Sequence, residues 1–207
     1  MGKVSFNMSM SLDGFVAGPN DGPENGLGDG GDRLFNWYFS GDTEVPIPGS
    51  EMMFKVSRAT AELFQEAWRT VGAMVTGRRN FNLAGAWGGN PPLGVHHFVV
   101  THTIPQEWIK EGSPFTFVTD GVERAINLAK ETAGGKDVVI SSADIMRQAL
   151  YAGLLDEINI DLVPILLGEG NRLFEPLGPE PIELEVQHII EGHGVTHMRY
   201  AVIKSRK

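Results

Sequence analysis

Three short segments combine residue types suited to binding an anion. Thr76-Gly77-Arg78-Arg79-Asn80-Phe81 follows an apolar run; its glycine permits close backbone approach, and two guanidiniums follow where a helical pattern begins. That composition fits a phosphate site, and equally a strand-to-helix turn with two solvated arginines. Thr101-His102-Thr103 offers hydroxyls and an imidazole that could meet a ribose or a phosphate. Ser141-Ser142-Ala143-Asp144 opens another helical pattern, and the first amides of that helix could bind an anion or be capped by a serine hydroxyl. Ligands of open α/β sheets bind beyond the carboxyl ends of the parallel strands, so three such loops at one end of a sheet carry more weight than any one.

Other signals are weaker. Asp13, at the end of the first apolar run, is a candidate proton donor, although Asp-Gly is also a turn-forming pair. Trp37 and Phe39 could stack on a flat ring or belong to the core. His188, His193 and His197 gather near the C-terminus, and a turn centred between Gly192 and His193 would set His188 opposite His197. No cysteine or nearby carboxylate completes a shell, so no metal is expected. Gly-x-Gly-x-x-Gly after the first strand, the P-loop pattern and Gly-x-Ser-x-Gly are all absent.

The elements that must position these residues follow from hydrophobic periodicity. Val4, Phe6, Met8 and Met10 alternate with polar residues, predicting a first strand with one apolar face. A Gly-rich, acidic segment from Pro19 to Asp32 reads as a lid loop. Strands are expected near 72–76, 97–101, 115–119 and 137–141, alternating with helices in the manner of a largely parallel sheet. One helix is expected to start at an Asp120 cap with Glu123 completing a capping box and to stop at Gly134-Gly135; another spans about 143–152. Ile158, Ile160 and Leu162 mark a half-polar strand ended by Pro164, and runs at 182–190 and 195–204 form a closing antiparallel hairpin. The reading is a single domain over residues 1–207, with eight strands and about four helices.

Composition narrows the function classes. With 17 Lys and Arg against 26 Asp and Glu, a formal net charge of −9 argues against nucleic acid. No window reaches the roughly 20 apolar residues of a membrane span, and the N-terminus lacks the apolar stretch of a signal peptide. The absence of cysteine fits a reducing compartment, so a cytoplasmic location is expected.

Taken in order, Ser11-Leu12-Asp13-Gly14-Phe15-Val16-Ala17-Gly18, Val75-Thr76-Gly77-Arg78-Arg79, Gly153-Leu154-Leu155-Asp156-Glu157, Pro164-Ile165-Leu166-Leu167-Gly168-Glu169-Gly170 with Leu173-Phe174, and Gly194-Val195-Thr196-His197-Met198-Arg199-Tyr200 resemble a known family. It is the dihydrofolate-reductase-like family that includes the C-terminal reductase domain of the bifunctional riboflavin-biosynthesis deaminase-reductase. The resemblance implies an α/β fold with a central, mostly parallel eight-stranded sheet flanked by helices and a C-terminal hairpin. It implies NADPH as cofactor and hydride transfer to a C=N or C=O bond of a small pterin-like or pyrimidine-like molecule. It also implies a homodimer.

By that resemblance, Val16 and Ala17 would offer backbone groups to the nicotinamide carboxamide. Gly77, Arg78, Arg79 and Asn80 would hold phosphates, Thr101, His102 and Thr103 would meet the adenosine ribose and its phosphate, and Ser141, Ser142, Ala143, Asp144, Ile145 and Met146 would receive the pyrophosphate. Two departures stand out. The family usually has Gly-Gly where this chain has Ser141-Ser142, and the stretch Arg33–Phe39 lacks the acid that dihydrofolate reductases carry on the helix after the nicotinamide loop. These departures motivate one alternative, a non-catalytic small-molecule binding protein with weakened cofactor binding; a separate alternative is a reductase of the same fold using a flavin or deazaflavin.

Overall fold

The computed structural model describes residues 2–174 and 180–204. In chain order the strands and α-helices are β1 (Val4–Ser11), β2 (Phe15–Ala17), β3 (Thr43–Pro46), β4 (Met53–Val56), α1 (Arg58–Thr70), β5 (Val71–Gly77), α2 (Arg78–Leu83), β6 (His96–Val100), β7 (Phe115–Val118), α3 (Val122–Ala133), β8 (Asp137–Ile140), α4 (Ala143–Tyr151), β9 (Glu157–Val163), β10 (Asn171–Arg172), β11 (Leu184–Gly192) and β12 (Val195–Val202). A 3-10 helix spans Gly31–Phe39. The chain divides into two compact units. The first contains the chain up to Phe6, Ile47–Met52 and Glu66–Asp156; the second contains Asn7–Pro46, Met53–Gln65 and the chain from Glu157.

In the first unit β1, β8, β5, β6 and β7 lie side by side, every neighbouring pair parallel. α3 buries Val122, Ala125, Ile126, Ala129 and Ala133 and packs on β5, β6 and β8, so the helical periodicity read from the sequence is the packing stripe. In the second unit β11, β12 and β9 form an antiparallel run. Because β1 has residues in both units, the strands read β11-β12-β9-β1-β8-β5-β6-β7 in one eight-stranded sheet. This is the mostly parallel sheet with a C-terminal hairpin that the sequence predicts. Two small strand pairs, β2 with β10 and β3 with β4, accompany it.

Three local expectations differ from the structure. β1 buries Val4 and Phe6, but farther along it buries Ser9 and Ser11 while Met8 and Met10 are only half-buried. The polar side is tolerated because it is partnered: the Trp37 indole donates to Ser9 Oγ (3.2 Å), and Ser11 Oγ accepts the Phe15 amide (2.9 Å). α3 is capped by Gly121 (φ +91°, ψ 179°), a backbone state open essentially to glycine, and not by Asp120. No side-chain capping bond forms there. The closing turn sits one residue later than expected, pairing Gly192 with Val195, so His197 lies opposite Ile190 and His188 opposite Arg199. The Pro19–Asp32 segment is tied internally, with Gly18 N–H donating to Leu27 O (2.8 Å) and Asn20 and Asn25 side chains both donating to Asp29.

Candidate functional site

In the first unit the structure knits together all three loops singled out from the sequence. Parallel pairing brings the ends of β5, β6 and β8 level, and the side chains beyond them then meet. The Gly77 amide donates to Ser142 Oγ (3.1 Å), and the Asn80 side chain donates to Thr76 Oγ1 (2.9 Å) and to the Ser141 carbonyl (3.1 Å). Arg78 donates through Nε to Asn82 (2.8 Å) and through Nη1 to the Thr103 carbonyl (3.0 Å), which also accepts the Thr101 hydroxyl (2.8 Å). Arg78 is therefore a cation held in place between two loops. Arg79, His102 and Thr103 are exposed around it.

Glycine at 77 suits a close approach. A Cβ there would lie 3.1 Å from Ser142 Oγ and 3.3 Å from Ile145 Cγ1. Ser142 adopts φ −141°, ψ 138°, extended backbone that any residue accepts, so serine in place of glycine costs no strain at that position. Its hydroxyl is engaged by Gly77, whereas Ser141 Oγ is buried and has no hydrogen-bond partner among the described residues. An orphaned hydroxyl at the head of a helix is the kind of group a phosphate oxygen would satisfy. Ile145 and Met146 are buried in the core, leaving only backbone groups to serve an anion, and Asp144 is turned to Gln148 (2.8 Å) and Arg147 on its own helix.

In the second unit Asp13 acts as a clamp. Its carboxylate accepts the Ser11 hydroxyl (2.6 Å) and the amides of Gly168 (2.7 Å) and Leu167 (3.1 Å). The Ser11 hydroxyl is the largest influence and holds its pKa down at about 2; burial, next in size, opposes it, and the Gly168 and Leu167 amides add to the lowering. It is thus ionised across the neutral range. Arg172 donates to the Asp13 carbonyl (3.2 Å) and lies over the Phe15 ring at 4.4 Å. Val16 is half-buried and Ala17 buried on β2; a Cβ at Gly170 (φ +133°) would lie 2.1 Å from the Ala17 carbonyl. The two aromatic candidates separate: Trp37 is 3% exposed and belongs to the core, whereas Phe39 is 59% exposed.

The sequence reading did not single out a buried polar cluster in this unit. Asp161 on β9 and His197 on β12 are register partners, with His197 Nδ1 2.6 Å from Asp161 Oδ1. Asn7 on β1 donates to the other Asp161 oxygen (3.0 Å), and Thr60 on α1 meets His197 Nε2 at 2.8 Å. The rings of Trp37 and Phe64 lie edge-on to the imidazole. Burial, and after it the charge of Asp161, raises the Tyr38 hydroxyl pKa well above its ordinary value, with a hydrogen bond to Ser9 pulling the other way. The only local signal was a carboxylate inside an apolar strand. Among the described residues no three His, Cys, Asp or Glu side chains gather as a metal site, and no helix is long and apolar enough to cross a membrane.

Comparison with known proteins accords with this architecture. Residues 2–197 match the family described as RibD C-terminal domain. No curated protein sequence matches the chain. Among solved structures, a Shewanella sp. PV-4 protein assigned to riboflavin biosynthesis is 21% identical with a TM-score of 0.67, the match covering 99% of this chain and 100% of that one. The riboflavin biosynthesis reductase Rib7 of Saccharomyces cerevisiae is 12% identical with a TM-score of 0.58, over 98% of this chain and 90% of that one. Dihydrofolate reductase from Enterococcus faecalis, complexed with NADP(H) and RAB-propyl, is 14% identical with a TM-score of 0.54, over 98% of each chain. At these identities the likenesses establish a fold, and that fold is dihydrofolate-reductase-like. Since the profile match runs through almost the whole sequence, the chain belongs to the RibD C-terminal domain family.

Proposed function

We propose that this protein is a cytoplasmic, single-domain reductase that uses NADPH to deliver a hydride to a C=N or C=O bond of a small heterocyclic molecule, pterin-like or pyrimidine-like. The observation that carries the reading is the joined end of β5, β6 and β8, where a glycine amide, a fixed guanidinium and an unpartnered buried serine hydroxyl converge. Gly77, Asn80, Ser141, Ser142 and the backbone from Ala143 to Met146 would hold the pyrophosphate. Arg78 and Arg79, with Thr101, His102 and Thr103, would meet the ribose bearing the extra phosphate, which needs a cationic partner. When bound, the dinucleotide supplies the hydride; the chain supplies orientation and exclusion of water. Phe39 offers an exposed ring to a flat substrate. The ionised Asp13 is better suited to holding the loop at Leu167 and Gly168 than to giving up a proton.

Titration with NADPH and NADH, followed by nicotinamide fluorescence, tests this reading. NADPH is expected to bind more tightly than NADH, and Arg78→Ala is expected to weaken NADPH about tenfold or more, roughly the loss of one charge-assisted contact, while changing NADH little. Absence of binding at millimolar NADPH would overturn the reading in favour of a non-catalytic binding protein, and displacement of the nicotinamide by a flavin or deazaflavin would reassign the cofactor.

The reading includes a homodimer. Leu184, Val186 and Ile189 on β11 are paired with Val202, Tyr200 and Met198 on β12, making an apolar strip on one face, with Val186 and Ile189 more than half exposed. Covering that strip with a second copy would remove it from water. Sedimentation at micromolar concentration is expected to give a dimer that Ile189→Glu dissociates; a monomeric wild type would reject this.

A further inference from the structure

Ser57, Thr60, His197 and Asp161 form an unbroken hydrogen-bonded row in the second unit. Ser57 Oγ lies 2.9 Å from Thr60 Oγ1, Thr60 Oγ1 lies 2.8 Å from His197 Nε2, and His197 Nδ1 lies 2.6 Å from Asp161 Oδ1. Thr60, His197 and Asp161 are buried, whereas Ser57, just before α1, is only half-buried. The row therefore runs from a position water can reach to a carboxylate in the interior. Asn7 closes the inner end by donating to the second Asp161 oxygen.

The row is satisfied with its protons pointing either way. With a neutral imidazole, Nδ1–H donates to Asp161 and Nε2 accepts from the Thr60 hydroxyl, whose oxygen accepts from Ser57. With an imidazolium, both ring nitrogens donate. Thr60 then turns its proton outward to Ser57 Oγ, which in either state also accepts the Thr60 amide (3.2 Å), and Ser57 directs its own proton away from the row. Passing between these states moves one proton in three hops, from water to Ser57, from Ser57 to Thr60 and from Thr60 to His197 Nε2. Each hop makes one O–H or N–H bond as the next one breaks, and no electron changes hands.

The surroundings preserve this arrangement. A Cβ at Gly192 of β11 would lie 2.7 Å from Thr60 Oγ1 and 3.0 Å from His197 Nε2, so the hydroxyl–imidazole junction is compatible only with glycine there. The rings of Trp37 and Phe64 flank the imidazole, and the titratable groups set against the pair are Asp161 from β9 and Tyr38 from the 3-10 helix. Apolar residues of similar volume commonly serve a core as well as a buried pair does, so stability alone is a weak reason for this row. Reduction of C=N or C=O consumes one proton per turnover, and the stretch Arg33–Phe39 holds no acid to give it.

We propose that Ser57, Thr60 and His197 are a proton relay connecting solvent to the buried Asp161 carboxylate, and that the Asp161–His197 pair is the internal proton store of the reductase. The relay stands on the row itself; only its use in reduction rests on the reductase reading. As groups not shown to touch a substrate, these are positioning and proton-handling residues.

The test is 15N NMR of the His197 ring in the full chain, free of cofactor, between pH 5 and 9, for wild type, Thr60→Val and Thr60→Ser. Exchange of the ring protons with solvent is expected to slow at least tenfold in Thr60→Val, which keeps the shape and removes the hydroxyl, and to recover in Thr60→Ser. Ser57→Ala, which interrupts the row at its half-buried end, is expected to slow exchange as well and replaces Thr60→Val if that variant does not fold. Exchange at the wild-type rate in the interrupted variant would overturn the relay. Failure of NADPH to bind in the titration above overturns the reductase reading alone.

Discussion

Asp161→Ala is expected to lose about 3–5 kcal/mol of folding stability, because it strands the buried His197 donor and the half-buried Asn7 donor at once. His197 Nδ1–H and the Asn7 side-chain amide both donate to this one carboxylate, at 2.6 and 3.0 Å, where Asp161 is 5% and His197 4% exposed. The vacated volume adds to the loss. Asp161→Asn keeps one acceptor oxygen and is expected to lose roughly half as much. Urea denaturation at pH 7 reads both values from the shift in midpoint at constant slope. A loss below about 1 kcal/mol for the alanine variant would mean that the cluster is hydrated and interchangeable with surface polar groups.

Acidification from pH 7 to pH 4 is expected to remove on the order of 3 kcal/mol of stability through His97 alone. His97 is fully buried on β6; its Nδ1 donates to the Val95 carbonyl (2.9 Å), which leaves Nε2 as a lone-pair acceptor with no partner among the described residues. The rings of Trp87 and Phe115 lie 5.2 and 6.2 Å away. Burial pushes the imidazole pKa down from 6.5 to about 4; the Val95 hydrogen bond opposes this, and neighbouring His96 adds slightly to it. The sign follows from linkage. Between these two values the unfolded chain takes up a proton that the folded chain refuses, so stability is fully present above about 6.5 and falls with pH until about 4. Stability curves measured by denaturation across this window are expected to flatten in His97→Phe. An unchanged slope would show that another group carries the dependence. Asp13 acts in a lower window: its folded pKa of about 2 lies below its ordinary 3.8, so its contribution is present above that value and is lost as pH falls towards 2.

Trp87 reaches His97 by an unusual route. Ala86 and Trp87 both have φ of 50° between glycines that are also left-handed, a conformation costing about 1–2 kcal/mol per non-glycine residue. Ala86 is buried and Trp87 packs with Phe81 and Phe115, which offsets that cost. Nothing in Gly85-Ala86-Trp87-Gly88-Gly89 marks a left-handed turn at its two non-glycine positions, so this segment was not legible as an element.

Where the physics is local, the reading from sequence held. The apolar runs at β5 to β8 are parallel strands, and the helical spacing of Val122, Ala125, Ile126 and Ala129 is the face that α3 buries. That three loops of this composition follow strand ends was legible for the same reason, since a strand end followed by glycine and hydroxyl residues is a contiguous signal. The α3 cap was not: Asp120 and Gly121 are both capping types, and only the observed backbone angles choose between them. The hairpin register failed by one residue on each strand because Gly192-His193-Gly194 permits more than one turn centre.

The buried cluster shows the limit most clearly. Asn7 and Asp161 are 154 residues apart, and Thr60 and His197 are 137 apart. Each alone is an ordinary polar residue in a strand or at the start of a helix. Period-two alternation assigned Asn7, Ser9 and Ser11 to the polar side of β1, and it was correct about the side. It could not say that the polar side of an interior strand would itself be covered. By itself, then, the sequence determined which segments form the parallel strands and their helices, and which loops follow those strands, because those follow from periodicity and turn chemistry within a dozen residues. Only the tertiary structure decided which polar groups lose water, that Asp13 is held ionised, that Trp37 is core while Phe39 is exposed, and that Asp161, His197, Thr60 and Ser57 share one row. Burial and hydrogen-bond partnership are properties of neighbours distant in sequence.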